Sequence, residues 1–462
     1  MLENYVRVAL RNITKHKTVS LINIVGLAIG LAGCLVITLW VLNELSYDSF
    51  HEDVDEIQMV LVQGSFRNNP STPFPLAEAL QREVPEIEHA SRYQGTADAL
   101  ISHADRAFYE DYIRAVDPAF FEIFGYEFLE GTPDTALDAP HSVVITRGTA
   151  EKYFGEEPAL GRVLTWNHEQ AYTVTGVVAE PTGKSTFHFE VLIPFETHVQ
   201  HLRATGRDPS WGFYSPNTFV RLRGDASPEE VEAKISGFLG LHVEGEDALL
   251  SLLPFRERRA FFWESGTYIL IFSSIALFLL VISCINYVNL TTAQSAERAT
   301  EISMRKMSGA GRGQLIAQLL SESVLLTCFA LAVALALVEL FLPIVDERLG
   351  LDLSLALLEP ALAVPALVLL VLVVGIAAGA YPAFVLASLR PAKVISGRLK
   401  AGTGHSLLRR GLVIVQLAIA FFLVVGTQVV NKQMRYLVSM DIGYGHEDIV
   451  MVPLRELDES QY

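Results

Sequence analysis

Cysteine is scarce. The 462 residues hold three, Cys34, Cys284 and Cys328, each inside an apolar run, so no disulfide framework is expected. No C-x-x-C pair and no Cys/His spacing suits zinc. Positive charge is also short: 35 Lys and Arg face 52 Asp and Glu, a net charge of -17, which argues against a nucleic-acid partner. No Ser/His/Asp, paired-carboxylate or metal constellation can be placed, so neither an enzyme nor a cofactor is expected. Thr182-Gly183-Lys184-Ser185 resembles the end of a phosphate-binding loop, but the glycine needed five positions before Gly183 is Val178. A turn between strands is the better reading. His51-Glu52-Asp53, His141 and His188 lack metal-site spacing and read as solvated polar residues or domain contacts.

Apolar residues are what the chain has in excess, at 51%. Five runs, 19–42, 268–290, 316–342, 361–384 and 412–430, reach the roughly 20 helical residues that cross a bilayer. The first is too long for the apolar region of a signal peptide, and no small-x-small cleavage site follows it, so it reads as an anchor. Basic residues gather before the first run (Arg7, Arg11, Lys15, Lys17), between the second and third (Arg298, Arg305, Lys306, Arg312) and between the fourth and fifth (Arg390, Lys393, Arg398, Lys400, Arg409, Arg410). The loop between the third and fourth is acidic, with Asp346, Glu347, Asp352 and Glu359. The positive-inside rule then places the N-terminus in the cytoplasm and residues 43–265 outside, with the C-terminus outside as well.

Residues 1–17 carry Leu2, Val6, Ala9 and Ile13 on one helical face and Arg7, Arg11 and Lys15 on another. The pattern reads as an amphipathic helix on the membrane surface, with a flexible basic tail as the alternative. Residues 43–265 read as an α+β domain inserted between spans one and two. Helices are expected over 75–82 and 227–239, the latter capped by Ser227 with Pro228 in its first turn. Strands are expected over 142–146, 171–178 and 218–223. The fold class is therefore a membrane α-helical bundle, a four-span core plus one extra, with an extracytoplasmic α+β domain.

The second span ends Cys284-Ile285-Asn286-Tyr287-Val288-Asn289-Leu290, followed by Arg298, Glu301-Ile302-Ser303-Met304-Arg305-Lys306, Gly309-Ala310, Gln318 and Glu322-Ser323. The fourth ends Gly379-Ala380-Tyr381-Pro382-Ala383, followed by Ser388 and Pro391. In the outer segment stand Val116-Asp117-Pro118, Phe120-Phe121, Val143-Val144-Ile145-Thr146, Phe154-Gly155, Leu160-Gly161 and Val174-Thr175-Gly176-Val177. In order and spacing these resemble the MacB/FtsX-type ABC permease family over nearly the whole chain. The resemblance implies a bacterial inner-membrane permease with a periplasmic core domain at 43–265 and an FtsX-like transmembrane domain at 266–390. It implies that a separate cytoplasmic ATPase pulls on a permease dimer or pseudo-dimer, and that the spans pass the stroke to the outer domain. Efflux, with or without a periplasmic adaptor, and lipoprotein release are family tasks, as are peptide sensing and control of cell-wall hydrolases.

The loop 291–313 is short and charged, and reads as a helix broken by Gly309-Ala310-Gly311 before span three. Glu301–Arg305 is an attractive i,i+4 pair and Glu297–Glu301 a like-charged one. Under the resemblance Arg298, Glu301, Met304, Arg305 and Lys306 are expected at the ATPase contact; without it, the loop is equally well a positive-inside connection. Gly26 with Gly30, and Gly375 with Gly379, form small-xxx-small faces for close helix packing, within one subunit or at a dimer seam. Asn286, Asn289 and Glu322 are expected in helix–helix contacts rather than a substrate path, with Glu322 also near enough the interface to reach arginine.

An internal echo runs through the ends. Span one follows a basic stretch and precedes Tyr47-Asp48-Ser49-Phe50-His51-Glu52-Asp53-Val54. Span five, at 411–431, follows the basic linker 391–410 and precedes Gly443-Tyr444-Gly445-His446-Glu447-Asp448-Ile449-Val450. Residues 432–462 are therefore expected to open a second outer domain of a longer, duplicated permease; an appended anchor is the alternative. Two other function classes compete. A receptor would need a partner for output, because the cytoplasmic loops are too short for a kinase or cyclase. An ion-coupled transporter would want acidic residues at mid-membrane, and none stands centrally in a span.

Overall fold

The computed structural model describes residues 7, 11–12, 14–15, 17–51, 53–63, 68–180, 184–243, 247–263, 265–349, 351, 353, 360–388 and 403–440. Residues 391–402 of the basic linker 391–410, most of the N-terminal amphipathic segment and residues 441–462 lie outside them. Two compact units result, Met1–Leu39 with Ile271–Tyr462, and Trp40–Leu270.

Among the described residues the helical unit holds five helices long and apolar enough to cross a membrane: Lys17–Leu45, Ser265–Ala293, Arg312–Leu349, Pro360–Ser388 and Thr403–Ser439. The first and second extend beyond this unit. Each matches one expected run and overshoots it, because a helix ends where its backbone finds other partners, not where its side chains turn polar. The fifth continues to Ser439, so residues 432–439 are helical and continuous with the span. Lys432, Gln433, Met434 and Arg435 are good helix formers with no Gly or Pro to stop them.

Both glycine pairs serve packing within the chain. A Cβ on Gly30 would stand 1.9 Å from Ser283 Oγ, and one on Gly26 3.1 Å from Asn286 Nδ2. A Cβ on Gly379 would stand 2.4 Å from Ser323 Oγ, and one on Gly375 2.8 Å from Val324 Cα. Helices one and two, and three and four, thus approach at a distance only hydrogen permits. Asn289 Oδ1 is buried with no hydrogen-bond partner among the described residues. The polar bridge to the third helix is made by Tyr287, whose hydroxyl donates to Ser323 Oγ at 2.9 Å. Tyr287 and Asn289 lie about 200° apart around the helix, so a neighbour that meets one is turned from the other.

The outer unit is built on one mixed sheet. Its strands in chain order are β1 (Ile57–Val62), β2 (Ser71–Pro73), β3 (Ile87–Gly95), β4 (Ala99–His103), β5 (Arg106–Glu110), β6 (Ile113–Val116), β7 (Phe128–Gly131), β8 (Ser142–Thr146), β9 (Val163–Trp166), β10 (Gln170–Val178), β11 (Val191–Pro194), β12 (Tyr214–Leu222) and β13 (Leu250–Pro254). The order is β13-β1-β12-β3-β6-β11-β8-β10-β9-β4-β5, with β2 beside β12 and β7 beside β10. Among the described strands, only β8–β10 and β6–β11 pair in parallel.

All six residues of β1 are buried, so the sheet is covered on both faces there. Met59 and Leu61 join Phe120, Phe124, Phe187, Phe219 and Phe255 in one core. Val60 and Val62 join Leu76, Leu80, Val231 and Ile235 in another. The period-2 alternation of a strand sends neighbours to opposite cores. The expected strand 142–146 is found as expected, and the helix at 75–82 is shifted by one residue, to Leu76–Glu83. The expected helix 227–239 is two, Pro228–Ile235 and Phe238–His242, with Gly237 between them. Ser227 does not cap it through its side chain; its hydroxyl donates to Glu229 Oε2 at 2.6 Å instead, a carboxylate being the stronger acceptor.

Candidate functional site

Helices two and three are joined by a short elbow helix, Ser295–Met307. It ends where the sequence places its breaker: Gly309 takes φ +96, the left-handed conformation glycine adopts without penalty. The amides of Gly309 and Ala310 turn back to the carbonyls of Lys306 and Arg305, satisfying the last turn. Ile302 buries with Leu315, Leu386 and Ala387.

Three of the five residues expected at a partner surface, Arg298, Arg305 and Lys306, hydrogen-bond to neighbouring helices. Arg298 Nη2 donates to Glu322 Oε1 at 2.7 Å, and Asn12 Nδ2 to Glu322 Oε2 at 3.3 Å. Glu322 is 3% exposed. Burial works against the Arg298 charge, but the Glu322 carboxylate and its hydrogen bond outweigh it and hold the guanidinium above its usual range. Removing one member would strand a buried charge, a change that costs on the order of 3–5 kcal/mol. Arg305 donates to Gln318 Oε1 at 2.7 Å and to Glu301 Oε1 at 2.6 Å, the expected i,i+4 pair. Lys306 Nζ donates to the Ala387 carbonyl at 2.7 Å, next to the last residue of the fourth helix, where a cation also suits the helix dipole.

The elbow is thereby stitched to the third and fourth helices, with Glu322 also held from the N-terminal segment. Among its described residues it leaves Met304 and Met307 open, 53% and 58% exposed, along with the polar Thr300. Met304 was legible as a surface residue. Met307, three positions on and so on the same face, was missed, as were Asn12, Gln318 and Ala387. The i,i+3 spacing is the available signal for Met307; Gln318 stands among the ordered motif residues, and no sequence signal marks Asn12 or Ala387.

The outer unit has one polar centre of note. A cleft of about 420 Å³ is lined by Thr146, Gly148, Lys152, Glu180, His188 and Glu190, among others. Beside it Glu110, 1% exposed, accepts from Lys152 Nζ at 2.7 and 2.9 Å and from Tyr153 Oη at 2.5 Å. Burial, then the hydrogen bond and charge of Glu110, push Glu190 up to about 7. Burial also acts on Glu110, but its hydrogen bonds from Glu190, Lys152 and Tyr153 hold it below the usual range. Below about pH 7 the two carboxyls thus share one proton, held by Glu190. The sequence reading did not single out this group, because β5, the helix Arg147–Phe154 and residue 190 meet only in the folded sheet.

Five apolar helices, a large α+β unit between the first two and a charged elbow after the second define a multi-pass membrane protein of the permease class. Residues 20–238 match the model of the MacB-like periplasmic core domain, and residues 273–391 that of the FtsX-like permease C-terminal region. The chain belongs to the MacB/FtsX-type family of ABC transporter permeases. It is 26% identical over 416 residues to the macrolide export ATP-binding/permease protein MacB 1/2 of Paracoccus denitrificans, covering 84% of this chain and 58% of that protein. It is 25% identical over 335 residues to the pyoverdine export ATP-binding/permease protein PvdT of Pseudomonas putida, covering 68% and 47%. Against the ABC transporter permease YknZ of Bacillus subtilis it is 23% identical over 352 residues, covering 71% and 83%. The chain spans about half the length of the curated MacB relatives it matches. Among solved structures, the periplasmic region of MacB from Actinobacillus actinomycetemcomitans is 15% identical, over 46% of this chain and 95% of that one, with a TM-score of 0.34.

Proposed function

We propose that this chain is the mechanical half of an ABC system. A cytoplasmic ATPase subunit seats on the elbow helix, and its nucleotide cycle moves the helical unit, which drives the outer domain. The chain itself then needs no catalytic centre. The observation that carries this reading is the elbow: Arg298, Arg305 and Lys306 brace it against helices three and four, so force applied at Met304 and Met307 enters the bundle instead of bending a loop. The exposed methionine pair suits a docking surface, since Met is flexible and polarizable. Within this reading Glu301 rims the contact, while Arg298, Arg305 and Lys306 position it. The permease works as a dimer or pseudo-dimer in a bacterial inner membrane, and efflux is the activity its relatives' names favour.

A photoreactive residue at Met304 or Met307, in cells, tests this. The expected result is a crosslink to a protein identified by mass spectrometry as an ABC ATPase, with a yield that changes under nucleotide trapping. A crosslink to lipid alone, or one indifferent to nucleotide, overturns it.

A further inference from the structure

We propose that the adjacent residues Arg258 and Arg259 form a two-tier clamp. It binds the end of the first helix, the loop 184–187 and the segment leading into the second helix into one mechanical piece. The clamp stands independently of the ATPase reading and lies wholly within the unit Trp40–Leu270.

The outer tier is Arg259. Its Nε and Nη2 donate to the two carboxylate oxygens of Glu44 at 2.7 and 2.9 Å, and its Cζ lies 3.5 Å from the centroid of the Tyr47 ring. Glu44 stands in the last turn of Lys17–Leu45. A planar fork on a carboxylate, stacked on an aromatic ring, is a geometry lysine cannot reproduce. The inner tier is Arg258, 7% exposed, beside Phe187 and Phe262 at 4.9 and 5.2 Å. Its Nη1 donates to Thr186 Oγ1, and that hydroxyl donates to Asp48 Oδ2. Asp48 Oδ1 accepts from the Thr186 amide at 2.7 Å and from Ser185 Oγ at 3.2 Å, while the Asp48 amide donates to the Lys184 carbonyl at 2.8 Å.

The tiers differ in what release would require. Freeing Arg258 strands a desolvated, buried cation. The Arg259 side chain is 20% exposed and can be rehydrated as it leaves Glu44. Arg258 is therefore the permanent anchor, and Arg259 the latch that can open.

Hydrogen exchange on the full chain in nanodiscs tests the clamp. Arg259→Gln is expected to speed amide exchange over 43–47, and Glu44→Gln to speed it over 258–263, each by about tenfold, as loss of a charge-assisted hydrogen bond implies. The double variant should exchange no faster than either single one. Protection of β12 reports that the fold is intact. Effects confined to the mutated segment, or additive in the double variant, overturn the clamp.

Discussion

At the scale of single residues the structure reassigns charge from surface to seam. Arg298, Arg305 and Lys306 look like a solvated basic loop in the sequence, and the fold uses all three as stitches. The same logic governs Glu190, whose proton is held by burial and by Glu110. A carboxyl with a raised folded pKa stabilises the protein fully below its unfolded value of about 4.5, and that stability is lost as pH rises through about 7. Glu190→Gln keeps a donor for Glu110 and removes the titration. The variant is expected to melt higher than the parent at pH 8, by about 2 °C, since a half-exposed group is screened, and no higher at pH 5. Differential scanning fluorimetry of the full chain at both pH values is the measurement; an equal shift at both would refute the shared-proton account.

At the scale of elements, the helix pairs are decided by what is missing from them. Gly30 and Gly379 are pressed by Ser283 and Ser323. Gly30→Val must separate helices one and two, because the nearest atoms include the Leu279 backbone carbonyl, which cannot rotate away. The expected cost is about 1–3 kcal/mol, read as a lower melting temperature in detergent. Gly426, with nothing within 4 Å, is the control: Gly426→Ala should leave the melting temperature unchanged or raise it. Equal effects at the two positions would show that close approach is not what holds the pair. The fifth helix makes the contrast plain, since most of its length is exposed and no small residue brings a neighbour near.

At the scale of the whole molecule, the question is the side of the membrane on which each unit lies. The proposed mechanism requires the elbow and the outer domain on opposite sides. Cysteines at Met304 and Arg207, in a background lacking Cys34, Cys284 and Cys328, are expected to label from opposite faces of intact cells or spheroplasts. An impermeant reagent should reach Arg207→Cys and not Met304→Cys; labelling from one face removes the mechanism. The span count, the placing of the large domain between helices one and two, and the strands near 142–146, 171–178 and 218–223 were legible because hydropathy and period are local properties. The sheet order was not. β12 lies between β1 and β3, although about 120 residues separate it from β3, and nothing in either strand names the other.

What the sequence by itself determined was composition acting locally: five apolar runs become five helices, β-branched alternation becomes strands, and Gly309 ends the elbow. The family, too, was readable in ordered short motifs. What only the tertiary structure decided was pairing: which cation meets which carboxylate, and which of Asn286, Tyr287 and Asn289 faces the third helix. It also decided that Met304 and Met307 stay open while the charges around them close. Local patterns state what a residue favours, whereas a partner is chosen by distance in space, which the chain sets only when the elements pack.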